Sequence, residues 1–132
     1  MHILPYLAAA LLATLGLIHL AYTIHDAVRE PRYFAPRDHA LLAPMRSTTV
    51  AIARGEHDFW TALIGFHVSH SIGVLLFALL VALAGPYAIG WLKVMLIAVG
   101  CAYTATAWRC WFRIPFSGCA AATVLMAAGW LV

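Results

Sequence analysis

The feature that most constrains the fold is the run FWTALIGFHVSHSIGVLLFALLVALAG, which begins at Phe59 and is almost wholly apolar. About 20 mainly apolar residues cross a hydrocarbon core of about 30 Å, so this run predicts a membrane-spanning helix. The rest of the chain agrees, since 64% of its 132 residues are hydrophobic, 10% are charged and the mean hydropathy is +0.90. Soluble domains carry about a quarter charged residues. The sequence therefore predicts an integral membrane protein.

Further apolar segments bring the number of candidate spans to four. We place them near Ile3–Ile24, Phe59–Ala84, Tyr87–Ala107 and Ile114–Val132. The first lacks a basic region before it and is longer than the apolar part of a signal peptide, so we expect a retained helix. No repeat, low-complexity tract or flexible linker divides the sequence. We therefore expect a single all-α membrane domain over residues 1–132, a polytopic four-helix bundle.

The distribution of arginine predicts the orientation of the helices, because connections on the cytoplasmic side carry the excess of Lys and Arg. The segment AGPY between the second and third spans has none. The first and third connections hold Arg29, Arg32, Arg37, Arg46 and Arg54, and Arg109 and Arg113, respectively. We expect these two connections in the cytoplasm of a bacterium and both termini outside its inner membrane. The first connection also holds every acidic residue, so its five arginines are balanced by five carboxylates. The net charge of +3 therefore indicates no nucleic-acid partner.

The connection from His25 to Asp58 is the only sizeable segment outside the predicted spans. Its first half, HDAVREPRYFAPRDH, predicts an ordered, turn-rich segment against the lipid headgroups. Its second half predicts a helix that Asp38 can cap and that starts or kinks at Pro44. One face of this helix carries Leu41, Met45, Thr48 and Ile52. We therefore expect an extra interfacial amphipathic helix between the first two spans.

Polar residues form stripes inside three of the spans, because residues three or four apart share a helix face. An α-helix rises 1.5 Å per residue. The distances from the predicted cytoplasmic helix ends are therefore about 12 Å for His67, about 16 Å for His70 and about 8 Å for His19. Ionisable groups at such depth are candidates for a functional site, although neutral ones can also simply hold helices together. We predict a shared pocket that opens toward the cytoplasmic leaflet, with two arginines at its mouth. Its members are His19, Tyr22, His67, His70, Ser71, Tyr103, Arg109 and Arg113.

These residues fit several functions. In the one we favour, the pocket binds a lipophilic molecule with a polar head, such as a lipid, an isoprenoid or a quinone, and acid–base chemistry is an extension of binding. Alternatively, His19 and either His67 or His70 ligate a b-type haem, or the three together hold Zn or Cu with Cys110 as a fourth ligand. As a third function, the chain is an accessory subunit whose stripes meet another membrane protein in a homo- or hetero-oligomer. No catalytic residue is assigned.

The segments PRYFAPRD, ARGEHDFW and GFHVSHSIGVLLFALL resemble an uncharacterised family of small four-helix bacterial membrane proteins. The resemblance extends from the first span through the second and is thin after Gly85. It implies a four-helix inner-membrane fold and no particular activity. In the family that the chain resembles, Asn is common at the position of His67. The following Ser69, His70 and Ser71 are similar to the residues that the family has there. The resemblance therefore favours hydrogen bonding over haem ligation at position 67.

Overall fold

The computed structural model describes residues 2–53 and 55–131, which form helices, turns and no strand. Four long helices are α1 (Leu4–Val28), α3 (Phe59–Ala84), α4 (Gly90–Cys110) and α5 (Arg113–Leu131), and the short α2 covers Leu42–Ser47. Single 3-10 turns form at His39–Leu41, Ala51–Ala53 and Gly85–Tyr87. Each long helix contains a window long and apolar enough to cross a membrane. The predictions of an all-helical chain and of four candidate spans are therefore confirmed.

The helix ends differ from the predicted ones where local chemistry overrides hydropathy. Helix α1 continues four residues past the predicted Ile24 to Val28 and ends shortly before Pro31, whose ring disfavours helical backbone before it. Helix α4 begins at Gly90 because Gly85–Tyr87 forms a separate turn, with a left-handed φ of +51° at Gly85. Arg54 and Val132, which the predicted connection and last span include, lie outside the described residues.

The predicted amphipathic helix in the first connection is not confirmed as one element. Asp38 does cap a turn, since its carboxylate accepts a hydrogen bond from the Ala40 N–H at 3.0 Å. Helix α2 nevertheless ends at Ser47, because Thr48 is extended and its carbonyl accepts the Phe59 N–H at 2.9 Å. Thr48, Thr49 and Val50 are β-branched, which lowers their helix propensity. No residue of His39–Ser47 is buried.

The start of α3 is fixed by Asp58, the residue before its first turn. The Asp58 carboxylate accepts hydrogen bonds from the Thr61 hydroxyl at 2.7 Å and from the Thr61 N–H at 2.9 Å. Acidic residues are favoured here because they satisfy backbone donors that the first turn leaves without partners. The bonds from Thr61 hold the pKa of the Asp58 carboxyl below its ordinary value. Helix α3 consequently begins at Phe59, as predicted.

The chain divides into two compact units. The core unit comprises Met1–Gly16 and Val74–Val132, and it contains the apolar core. Within it α4 and α5 pack closely at Gly100, where an added Cβ would lie 2.7 Å from Thr123 Oγ1. The buried Trp130 indole donates to the Gly85 carbonyl at 2.7 Å, which ties α5 to the turn after α3. The buried core residues are Ala8, Ala9, Leu12, Phe77, Ala78, Val81, Ala88, Leu96, Ala122, Met126 and Trp130.

The second unit, which we call the histidine unit, comprises Leu17–Gly73. It contains the C-terminal part of α1, the first connection and the N-terminal part of α3. The polar residues found buried in the described part of the chain, Thr23, Asp26, His67 and Ser71, all belong to this unit. Burying polar groups costs free energy unless they are hydrogen-bonded. Each of these residues must therefore have partners, and those partners define the candidate site.

Candidate functional site: an imidazole cluster and a buried carboxylate

The site is built around an imidazole cluster, which we define as His19, His67 and His70. His19 Nε2 lies 3.1 Å from His67 Nδ1, and the His19 and His70 ring centroids are 5.3 Å apart. His67 and His70 are one turn apart on α3, which lets both rings meet the single ring from α1. A hydrogen bond between two imidazoles needs one protonated and one unprotonated nitrogen. The sequence alone does not give the rotation of α1 relative to α3. In the structure, the rotation of the two helices brings the three predicted histidines together.

The imidazoles lie at matched depths in their helices. His67 is about 12 Å from the first residue of α3, and His19 is about 13 Å from the last residue of α1, at 1.5 Å per residue. The second figure exceeds the predicted depth because α1 extends to Val28. His67 is 8% exposed, whereas His19 and His70 are only half-buried. The cluster is consequently deep along the spans but open at its side.

An aromatic ring from the first connection covers part of the cluster. Phe34 stacks on His67 with ring centroids 4.2 Å apart and an angle of 24° between the planes. The same ring is tilted against His19 at 4.8 Å. Phe34 lies outside the helices, so its place depends on whatever fixes the irregular segment around it.

That segment is fixed by Asp26, which is 1% exposed and lies near the end of α1. Its oxygens accept hydrogen bonds from three successive backbone N–H groups: those of Arg32 at 2.9 Å, Tyr33 at 2.8 Å and Phe34 at 2.7 Å. His25 Nδ1 lies 3.1 Å from the same carboxylate. Hydrogen bonds to an ionised group are among the stronger ones in proteins. Asp26 therefore ties the first connection to α1 and sets Phe34 against the imidazoles.

Two buried hydroxyls stabilise the helices at the cluster. The Thr23 hydroxyl donates to the His19 carbonyl and the Ser71 hydroxyl donates to the His67 carbonyl, each at 2.8 Å. Such bonds to the carbonyl one turn back are a common way for Ser and Thr to satisfy themselves in apolar helices. The proton of Ser71, a predicted ligand-binding residue, is thus directed at its own backbone.

Of the remaining predicted site residues, one belongs to the histidine unit and three belong to the core unit. Tyr22 is 42% exposed and stacks on Tyr33 at 4.1 Å with an angle of 7° between the rings. Tyr103 belongs to the core unit, where its ring stacks on Phe77 at 5.7 Å. Arg109 and Arg113, also of the core unit, are exposed at the end of α4 and the start of α5. The grouping of these core-unit residues with the imidazoles stays a prediction.

The geometry also bears on the haem and metal hypotheses. A haem iron between two imidazoles would place the ligating nitrogens about 4 Å apart, at about 2 Å per bond. The His19 and His67 nitrogens are 3.1 Å apart and joined directly, so this pair is not spaced for a haem iron. Haem ligation by His19 and His70 stays a hypothesis. Within residues 2–53 and 55–131, no three His, Cys, Asp or Glu side chains are placed to hold one ion. Cys110, the proposed fourth metal ligand, is exposed in the core unit.

The sequence patterns predict neither the role of Asp26 as an acceptor nor the place of Phe34 against the imidazoles. The available signal is a carboxylate at the end of a helix, followed by a Pro-containing segment rich in backbone donors without helical partners.

Comparison with protein-family models, with curated proteins and with solved structures gives no match to this chain.

Proposed function

We propose that the chain is an integral membrane protein that binds, at the imidazole cluster, a lipophilic molecule with a polar head: a lipid, an isoprenoid or a quinone. The observation that carries this proposal is the meeting of imidazoles from two spans, joined at 3.1 Å, with two of the three rings only half-buried. Polar groups at such depth are costly against lipid and mark ligand or ion sites by default.

The chemistry of the cluster suits a polar head. A neutral imidazole offers one donor and one acceptor, so it can bind a hydroxyl or a carbonyl without a charge on either partner. Beside it, Phe66 is 58% exposed and its ring is nearly parallel to that of His70 at 6.2 Å. A polar edge next to an exposed apolar ring is the pattern that an amphiphilic molecule requires.

Acid–base chemistry is an extension of the same proposal. The His19–His67 contact is a hydrogen bond along which a proton can pass, and His70 adjoins it. Imidazole is the side chain most often used for proton transfer in enzymes. We assign no residue a catalytic role, because the contacts identify no substrate atom.

The proposal includes the finer description of the molecule: a four-helix membrane bundle over residues 1–132 in a bacterial inner membrane, with both termini outside. It is supported by four helices of spanning length and by the arginines of the first and third connections. An accessory subunit would be expected to satisfy its polar stripes only in an oligomer. Here the His19–His67 hydrogen bond forms within one chain, which favours ligand binding over that function.

The test is mass spectrometry of the organic extract from the full-length chain purified in a mild detergent. His70→Ala is the informative variant, because it leaves the His19–His67 hydrogen bond in place. Ser69→Ala is the matched control, since Ser69 is an exposed residue of the same helix. Its hydroxyl donates to the Phe66 carbonyl one turn back at 2.9 Å. We expect one defined amphiphile in the wild type and in Ser69→Ala. Loss of one hydrogen bond to its head predicts about tenfold less in His70→Ala.

Equal extracts from the wild type and His70→Ala would overturn the assignment of the site. Thermal unfolding of the same samples separates binding from structure. If His70 had a purely structural role, His70→Ala would lower the melting temperature even of protein that carries no amphiphile. Absorption spectra and metal analysis of the same samples complete the test. A Soret band that disappears in His70→Ala would replace the proposal with haem binding.

A further inference from the structure

A basic cleft lies just beyond the end of α1, in the histidine unit and apart from the imidazole cluster. It has a volume of about 370 Å³ and is lined by His25, Arg29, Glu30, Pro31, Arg32 and His39. Its walls come from the last turn of α1, the residues that follow it and the 3-10 turn at His39–Leu41. Binding clefts for small molecules have volumes of about 300 to 1,000 Å³.

The charges of the cleft favour an anion. The lining contains two guanidinium groups, two imidazoles and one carboxylate, that of Glu30, and the Asp26 carboxylate lies 3.1 Å from the His25 imidazole. In the part of the chain that the structure describes, the only salt bridge joins His25 to Asp26, so no carboxylate lies within 4.0 Å of the Arg29 or Arg32 guanidinium. The carbonyl end of α1, Glu30 and the neighbouring Asp26 disfavour an anion. Both guanidinium groups are therefore needed to attract one.

The cleft is also organised before any ligand arrives. The Arg32 backbone N–H and His25 Nδ1 both bind Asp26 Oδ1, at 2.9 and 3.1 Å. The Arg32 guanidinium carbon lies 5.8 Å from the centre of the Tyr33 ring, which itself stacks on Tyr22 at 4.1 Å. Cations at this distance from an aromatic face are held by its quadrupole. Preorganised donors lose less entropy when they bind a ligand.

We propose that this cleft binds a phosphate group, either the headgroup of an anionic phospholipid or a phosphate from the aqueous phase. Guanidinium groups match the oxygens of phosphate with paired N–H donors. The cleft begins at His25, three residues before the end of a helix of spanning length, which is where the lipid headgroups meet such a helix. The proposal does not depend on a ligand at the imidazole cluster.

The experiment is isothermal titration of the full-length chain in an uncharged detergent with two probes, dioctanoyl phosphatidate and inorganic phosphate. The cleft variant is Arg29→Gln with Arg32→Gln. The control variant, Arg37→Gln with Arg46→Gln, removes the same charge from exposed residues of the same connection that do not line the cleft. We expect the cleft variant to weaken phosphatidate binding at least about tenfold, since charge-assisted hydrogen bonds are lost. The control should retain wild-type affinity within about twofold.

The two probes distinguish the sources of phosphate. Cleft-dependent binding of phosphatidate alone identifies a lipid headgroup, and cleft-dependent binding of both probes identifies phosphate from either source. Equal weakening in the two double variants, or no binding of either probe, overturns the proposal. If the glutamine variant unfolds, Arg29→Lys with Arg32→Lys takes its place, because it keeps the charge and loses the paired donors. Unchanged affinity in that variant also overturns the proposal.

Discussion

Asp26 shows how one residue can position several others. Its buried carboxylate binds the backbone N–H groups of Arg32, Tyr33 and Phe34 in succession. The three side chains then diverge, to the basic cleft, to the Tyr22 ring and to the His67 ring, respectively. Both proposed binding sites of the histidine unit therefore depend on the same acceptor, although neither uses Asp26 as a wall.

Asp26→Asn tests this role. The amide keeps one oxygen but puts an NH₂ donor against backbone donors and loses the charge, so we expect the local ordering of residues 31–34 to weaken by about 2–3 kcal/mol. Limited trypsin digestion measures it, because the Arg32 and Tyr33 N–H groups are bonded to Asp26 and this backbone must leave that arrangement before the protease can cleave after Arg32. We expect cleavage after Arg32 to accelerate at least about tenfold.

The control for this variant is Asp38→Asn in the same connection. Asn caps a turn about as well as Asp, so cleavage after Arg32 should stay at the wild-type rate. Equal cleavage rates in the wild type and in Asp26→Asn would show that packing, not the carboxylate, holds the segment.

At the scale of elements, the contact of α4 with α5 depends on the absence of a side chain at Gly100. A Cβ built there would lie 2.7 Å from Thr123 Oγ1 and 2.8 Å from the Met126 methyl carbon. The methionine can move, but the Thr123 hydroxyl is bonded to the Cys119 carbonyl at 2.8 Å. Small residues allow close approach of helices in membranes, where there is little hydrophobic force between them.

Gly100→Ala is therefore expected to destabilise the protein by about 1–3 kcal/mol, because overpacking a close contact forces neighbours to shift. Gly90→Ala is the matched control, since Gly90 is in the same helix and a Cβ there meets nothing within 4 Å. It should leave stability unchanged or raise it slightly, as Ala favours helix over Gly. Thermal unfolding in detergent, followed by circular dichroism, compares the two. Equal melting temperatures would contradict the tight α4–α5 contact.

The histidine unit also shows which elements sequence patterns can and cannot predict. Helix α3 was predictable at both ends, Phe59 and Ala84, because hydropathy is a local property. The face shared by His67 and His70 was predictable for the same reason, since it follows from helical spacing alone. The interruption of the predicted amphipathic helix could not be predicted, because it depends on the hydrogen bond from the Phe59 N–H to the carbonyl of the extended Thr48, a long-range bond that no periodicity reports. The place of Phe34 likewise depends on Asp26, eight residues earlier.

At the scale of the whole molecule, the two units carry different kinds of residues. The apolar core cluster lies in the core unit, whereas the polar residues found buried in the described ranges lie in the histidine unit. Composition alone predicted the membrane class but not this separation, because hydropathy averages over both units. Apolar packing stabilises a fold without offering chemistry, and buried polar groups offer chemistry at a cost in stability. The buried polar groups of the histidine unit agree with the proposal that the binding sites lie there.

The arginine distribution leads to a topology that can be tested on the whole chain. If all four candidate spans cross the membrane, both termini lie on one side, and the arginines of the first and third connections predict that this side is outside the cytoplasm. Alkaline phosphatase fused to the C-terminus should therefore be active, because it folds only outside, and a green fluorescent protein fusion should be dark. Replacing Arg29, Arg32, Arg37 and Arg46 by Gln should reduce phosphatase activity and allow fluorescence, whereas Lys93→Gln, within α4, should change neither reporter.

A fluorescent wild-type fusion without phosphatase activity would reverse the orientation and place the basic cleft outside. Activity of both wild-type fusions would mean that the chain inserts in both directions, and that its arginines do not determine its topology.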